Sequence, residues 1–182
     1  MTPRSQFFIV LATVAAAAGF VRLAEPAPSA SPSALTAAGE QWTDVTGFIT
    51  KAAEQVPESS YAYKPTPAVR SFGALIGHIA GTQNYMCGMA LGVKAGAEDG
   101  VEKTTTAKGA LIDSLKASNA LCKKAYAMSD ANAAKTMKMF GQEKSGLYWL
   151  IGNMGHDNLH YGNIVTYMRM LGMTPPSSQS AP

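Results

Sequence analysis

A chain of 182 residues, 47% of them hydrophobic, is long enough for one domain with a proper core and too short to expect two. Its 15 Lys and Arg against 12 Asp and Glu give a net charge of +3. That is too mild to point to a nucleic-acid partner, and no basic cluster interleaved with aromatics appears.

The N-terminus has one early cation, Arg4, and then an uncharged apolar run from Phe7 to Val21, followed by small residues and prolines. This is the pattern of a secretory signal peptide, and the run is short of the roughly 20 apolar residues a membrane span needs. Residues 1–30 are therefore read as a signal peptide and the start of a linker, cut near Ala24 or closer to Ala30. No cysteine follows the apolar run, so a lipid anchor is not expected. The expected product is exported, periplasmic or extracellular, with no stable membrane span after cleavage. Without Arg4, Arg22 and Glu25 it carries 13 cations and 11 anions.

Residues 31–35 complete a Pro/Ala/Ser linker that has nothing to bury. The folded domain is expected over residues 36–178, with 179–182 a disordered tail. The first helix is expected over residues 34–56, where Leu35, Ala38, Trp42, Val45, Ile49, Ala52 and Val56 step by three or four along one face. Pro57 stops it, and the proline-rich stretch 57–70 is a loop. Ser71 is a good N-cap for a second helix reaching about Leu91, with Leu75, Ile79 and Met86 in its apolar stripe. Four glycines at 73, 77, 81 and 88 cost that helix about 0.8–1 kcal/mol each relative to alanine. Such a cost implies that something comes close, most simply a neighbouring helix.

Residues 92–106 read as a polar connection. A third helix, capped by Thr106 or a neighbouring threonine, extends to about Met128 with Leu111, Leu115, Cys122, Ala125 and Met128 inward and Lys108, Lys116, Lys123 and Lys124 facing water. Residues 129–146 read as a short turn and an irregular crossing segment. A fourth helix begins near Ser145 and ends at Leu171, with Gly172 at the C′ position and Pro175–Pro176 beyond it. Four helices and no convincing strand predict an all-α four-helix bundle with long 1–2 and 3–4 connections. Cys87 and Cys122 both fall late in their helices. A bridge between them requires those helices to be parallel neighbours joined by a crossover; antiparallel neighbours leave two free thiols.

Chemistry concentrates in three histidines. His156 and His160 are four apart in the fourth helix, so their rings stand one turn apart on one side. Three histidines scattered at random over a chain this long place some pair four apart in only about 3% of cases, the spacing that a helical two-nitrogen metal site needs. The glutamate of a zinc-protease HExxH is absent. Asp157 follows His156 and projects about 100° away from it on the helix. His78, near the middle of the second helix, can supply a third nitrogen if the two helices face each other in register.

The segments KPTPAVRSFGALIGHIAGTQNY and HDNLHYGNIVTYMRMLGMTPPSS resemble the DinB family over about residues 36–178. The resemblance implies a four-helix bundle that binds a divalent metal through one histidine of the second helix and an HxxxH pair of the last, here His78, His156 and His160. It also implies a cavity that Asn84, Trp149 and Asn153 would line. Some members of the superfamily are thiol-dependent transferases or isomerases of small molecules. An exported chain departs from that cytosolic pattern.

Three imidazoles leave an open coordination position, whereas closed structural sites use four protein ligands. Zinc, nickel and iron all suit such a donor set. Asp44 and Asp157 are candidate general bases, and Tyr85 and Tyr161 candidate orienting groups. The function expected is a metal-dependent hydrolase or thiol-type transferase acting on a small molecule. The alternatives are a non-catalytic metal-binding or interaction module, homodimeric through exposed methionines, and a bundle holding haem non-covalently, since CxxCH is absent.

Overall fold

The apolar stripe of the first helix is buried along its whole length: Leu35, Ala38, Trp42, Val45, Ile49, Ala52 and Val56 are each at most 5% exposed in the computed structural model. The structure describes residues 32–180, so the leader assigned to residues 1–30 lies outside the described residues, as do the last two residues. The helices are α1 (Ala34–Gln55), α2 (Phe72–Ala90), α3 (Gly100–Thr104), α4 (Lys108–Tyr126), α5 (Asp130–Ala133) and α6 (Gly146–Met170). A two-stranded hairpin, β1 (Thr136–Met139) and β2 (Gln142–Ser145), lies between α5 and α6. No helix among the described residues is long and apolar enough to cross a membrane.

Ser33, Ser71 and Ser145 cap α1, α2 and α6, each accepting a hydrogen bond from the amide three residues on. Gly172 follows α6 with φ +72°, the left-handed conformation that ends helices at little cost. The start of α4 differs from expectation. Ala107 is its N-cap and offers no side-chain hydrogen bond. Lys108 does not simply face water either: its Nζ donates to the carbonyls of Glu54 (2.9 Å) and Val56 (2.8 Å), satisfying the C-terminal end of α1.

The four long helices pack around one another. Trp42 in the first half of α1 stacks on Tyr126 at the end of α4, while Lys108 at the start of α4 meets the end of α1, so this pair is antiparallel. Phe48 stacks on Tyr161, and Trp42 also reaches Asp157, which sets α6 parallel to α1. The start of α2 meets the end of α6 through Tyr167 Oη, which donates to the Arg70 carbonyl (2.9 Å). The start of α4 lies on the start of α2, where Leu111 packs at Gly73 and Gly77, and the ends of the two are joined by a Cys87–Cys122 disulfide. The pair is therefore parallel, and the crossover arrangement is the one present.

The crossover explains the glycines. Its chain doubles back along α2, so a Cβ at Gly77 would lie 2.9 Å from the Glu102 Cα and one at Gly81 would lie 2.1 Å from the Glu98 carbonyl oxygen. The close neighbour expected at these glycines is thus the returning 98–102 segment as well as a helix. The substitution Gly81→Ala is expected to destabilise the protein. Pushing a backbone carbonyl aside costs about 1–3 kcal/mol, more than the roughly 1 kcal/mol of helix propensity gained. A fall of several degrees in melting temperature would register it; an unchanged or raised one would show that the segment is free to yield.

Residues 136–145 correct the reading of an irregular segment without strands. Thr136 pairs with Ser145 and Met139 with Gln142 around a tight turn at Phe140 (φ 48°) and Gly141 (φ 76°). Two consecutive residues in the left-handed region match the twist of a two-residue hairpin. Buried Met139 and half-buried Met137 alternate with exposed Thr136 and Lys138, a period of two that was present in the sequence. Beyond the last helix the Ser177 amide donates to Tyr161 Oη (2.9 Å) and Gln179 pairs with Gln55.

Candidate metal centre

His78 from α2 and His156 and His160 from α6 come together between these helices, one ring-nitrogen donor from each lying within 4.8 Å of the other two. The parallel and antiparallel pairings above create this meeting, because α2 and α6 run in opposite directions and cross at these residues. Nε2 of His78 and Nε2 of His156 are 3.1 Å apart. Two nitrogens each about 2.1 Å from one ion stand roughly 3.0–3.4 Å apart at octahedral to tetrahedral angles, so the spacing fits a shared divalent cation. The same closeness leaves no room for a flat macrocycle between the two rings.

Each ring turns its other nitrogen outward to a polar partner. His156 Nδ1 lies 3.4 Å from Asp157 Oδ1, and His160 Nδ1 lies 3.3 Å from the Asn163 side-chain amide. Turning that amide over would let its oxygen accept from Nδ1–H and leave Nε2 free as a donor to metal. His78 Nδ1 is buried without a hydrogen bond, 3.5 Å from Glu102 Oε2. Pairing a ligand's outer nitrogen with a carboxylate or amide fixes its tautomer and aims the inner lone pair.

Asp157 is fully buried. Its Oδ2 accepts from Trp42 Nε1 (3.1 Å) and Gln83 Nε2 (2.8 Å), and Gln83 in turn accepts from Ser118 (2.6 Å). One carboxylate thus ties α1, α2 and, through Gln83, α4 to the ring of His156. Burial pushes its carboxyl up, against the hydrogen bonds from His156, Gln83 and Trp42 that pull it down. In Asp157→Asn, Oδ1 and Oδ2 no longer both accept. Metal affinity is expected to fall about 10- to 100-fold, the usual cost of losing such a partner. Competition with a chelating dye measures it, and unchanged affinity would reduce Asp157 to a packing role.

The surroundings favour the neutral form of two of the rings, His78 and His160. Burial, then Arg70 and His156, hold His78 below the ordinary histidine range. Burial, then His156, His78 and Arg70, push His160 down to about 3. Neutral imidazoles keep their lone pairs available to a cation. Arg70 is held close by Glu102, to which its Nε donates at 2.8 Å.

The other sequence candidates lie elsewhere. Asp44 is exposed, in a shallow hollow shared with Phe48 and Tyr161. Tyr161 spends its hydroxyl on Ser177, and Tyr85 and Trp149 pack on Phe140 of the hairpin. Asn84 borders a separate hollow formed with residues 94–104. Asn153 is buried and donates to Tyr126 Oη (3.2 Å), linking α6 to α4 rather than lining a cavity. Sequence reasoning missed Arg70, Glu102 and Asn163. Asn163 had a signal, being three residues beyond His160 on the same helix face. Glu102 had none, because it sits in a polar connection whose path was not readable.

A family model for the DinB superfamily matches residues 41–164. The chain belongs to the DinB superfamily. No curated protein matches it. Among solved structures, a DinB-like protein from Bacillus cereus is similar at 22% identity with a TM-score of 0.64, over 75% of this chain and 92% of that one. A conserved protein from Enterococcus faecalis is similar at 15% identity with a TM-score of 0.63, over 78% of this chain and 99% of that one. A mycothiol-dependent maleylpyruvate isomerase shares the fold at 15% identity with a TM-score of 0.56, over 75% of this chain and 67% of that one. These likenesses concern the fold. This chain is mostly helical, with the 136–145 hairpin directly before the helix that carries two of the three histidines.

Proposed function

We propose that this DinB-like protein holds one divalent metal ion on His78, His156 and His160 and is a metal-dependent enzyme acting on a small molecule, built as a four-helix bundle of α1, α2, α4 and α6. The observation that carries the reading is the convergence of three imidazoles within 4.8 Å, with His160 also forming part of the wall of an open cavity. Three protein donors leave a coordination position for an exogenous group. The bound ion would supply Lewis acidity, activating a water or a thiol as nucleophile.

The chain's own residues orient and exclude. Asp157, Asn163 and Glu102 aim the rings. The buried network from Trp42 through Asp157 and Gln83 to Ser118 holds them in place. Hydrolysis and thiol-dependent transfer are the two reaction types such a centre supports, the second favoured by the isomerase neighbour that uses mycothiol. The apolar N-terminal run and the Cys87–Cys122 bridge support export to an oxidising compartment, where hydrolysis needs no cytosolic thiol. Turnover of a panel of activated esters, amides and thiol–acceptor pairs is the test. Metal-loaded protein is expected to convert at least one member and chelator-stripped protein none; activity indifferent to chelation would count against a metal-dependent reaction.

A further inference from the structure

A cavity of about 780 Å³ opens beside the histidine cluster, a volume in the range of sites that take small organic molecules. Its wall combines His160 and Asn163 with Lys64, Arg70 and Lys103 and one carboxylate, Glu102; Lys103 is itself paired with Asp99, which leaves Lys64 and Arg70 as the cations that face the space. Glu102 is already spent: Arg70 Nε donates to its Oε2 at 2.8 Å and Nη2 lies 3.5 Å from its Oε1. The Arg70 side chain is nevertheless 43% exposed, and its Nη1 makes no hydrogen bond among the described residues. Tyr167 Oη holds the Arg70 carbonyl (2.9 Å) and fixes the backbone from which that side chain projects. Lys64 forms no ion pair among the described residues. Ser71, the N-cap of the 19-residue α2, borders the same space, so the positive end of that helix faces it as well.

We propose that the cavity binds the anionic head group of a small organic acid between Lys64 and Arg70, with the rest of the molecule extending past Asn163 to His160. This deepens the metal-centre reading and rests on it only for what the far end of the molecule meets. A carboxylate and a phosphate ester share the chemistry, since the guanidinium edge and the lysine ammonium suit both. A molecule with one charged end and a polar far end suits a wall that is cationic at Lys64 and Arg70 and neutral at His160 and Asn163.

Calorimetric titration of the zinc-loaded full chain with glutaramate (the monoamide), glycerol phosphate and the uncharged diamide glutaramide tests this. One or both anions are expected to bind and the diamide is not, and the stronger anion identifies the head group. In Lys64→Gln/Arg70→Gln the anion affinity is expected to fall about tenfold or more, as for loss of charge-assisted contacts. Because Arg70→Gln also frees Glu102 beside His78, Lys64→Gln alone is a second arm, expected to weaken binding roughly threefold. Equal binding of the diamide, unchanged affinity in both variants, or no binding of either anion would overturn the proposal. If the wild type takes up no zinc, the metal-centre reading fails by itself, and the same titrations of zinc-free protein still decide whether the cavity selects anions.

Discussion

Replacing His156 by alanine is expected to lower divalent-metal affinity on the order of a hundredfold or more, because two imidazoles remain where three converged. The substitution leaves the fold intact, since His156 is the most exposed ring of the three, with 19% of its side chain accessible against 10% for His78. Elemental analysis of protein purified without chelators is expected to find about one metal per wild-type chain and far less in the variant. A second readout follows from linkage: a ligand that binds only the folded state stabilises it, by about 2.7 kcal/mol at a hundredfold excess over Kd. Added zinc should therefore raise the melting temperature of the wild type and not that of His156→Ala. Equal metal content in both proteins would remove His156 from the donor set. It would also undo the explanation given for the 3.1 Å approach of its Nε2 to that of His78.

The second large effect is expected from the disulfide. Cys87 and Cys122 are 35 residues apart in sequence, and closing a loop of that length removes enough unfolded-chain freedom to contribute about 3–4 kcal/mol in the chain-entropy model. Reduction, or the double change Cys87→Ala/Cys122→Ala, is expected to lower the urea midpoint. It should also cost on the order of 10 °C in melting temperature for a domain of this size. Both sulfurs are buried in the core shared by Trp42, Tyr126 and Leu150, so the bridge pins the far ends of α2 and α4, away from the histidines. Metal binding by the reduced protein at low temperature should consequently be near that of the oxidised form. Identical urea midpoints with and without reductant would show that packing alone holds the parallel pair.

Local signals found what local physics decides. Serine caps, an apolar step of three and four, and a glycine after the last turn placed α1, α2 and α6 to within a residue or two. Those features act within one turn of helix. The hairpin was misjudged for an equally local reason: a four-residue alternation and a Phe–Gly turn were outweighed by a mixed composition that looked irregular. The contacts of residues 177 and 179 arise for a tertiary one. Ser177 and Gln179 are polar and carry no order of their own, and it is Tyr161 and Gln55, reached only after folding, that hold them.

The histidines divide along the same line. By itself the sequence determined that His156 and His160 share one helix face and that His78 sits in the middle of another helix, because helical periodicity follows from spacing alone. It also carried the family likeness, which implies the same donor set. Only the tertiary structure decided that α2 and α6 cross at these residues. It also decided that Asp157, one residue from a ligand and turned about 100° away, is buried to brace the site rather than to join it. That placement depends on Trp42 and Gln83, which lie 115 and 74 residues distant in sequence. The glycines of α2 admit the returning segment that sets Glu102 beside His78, and the loop before α2 brings Lys64 and Arg70 to the same cavity. Contacts between residues so far apart are set by packing of whole elements, which no window of sequence contains.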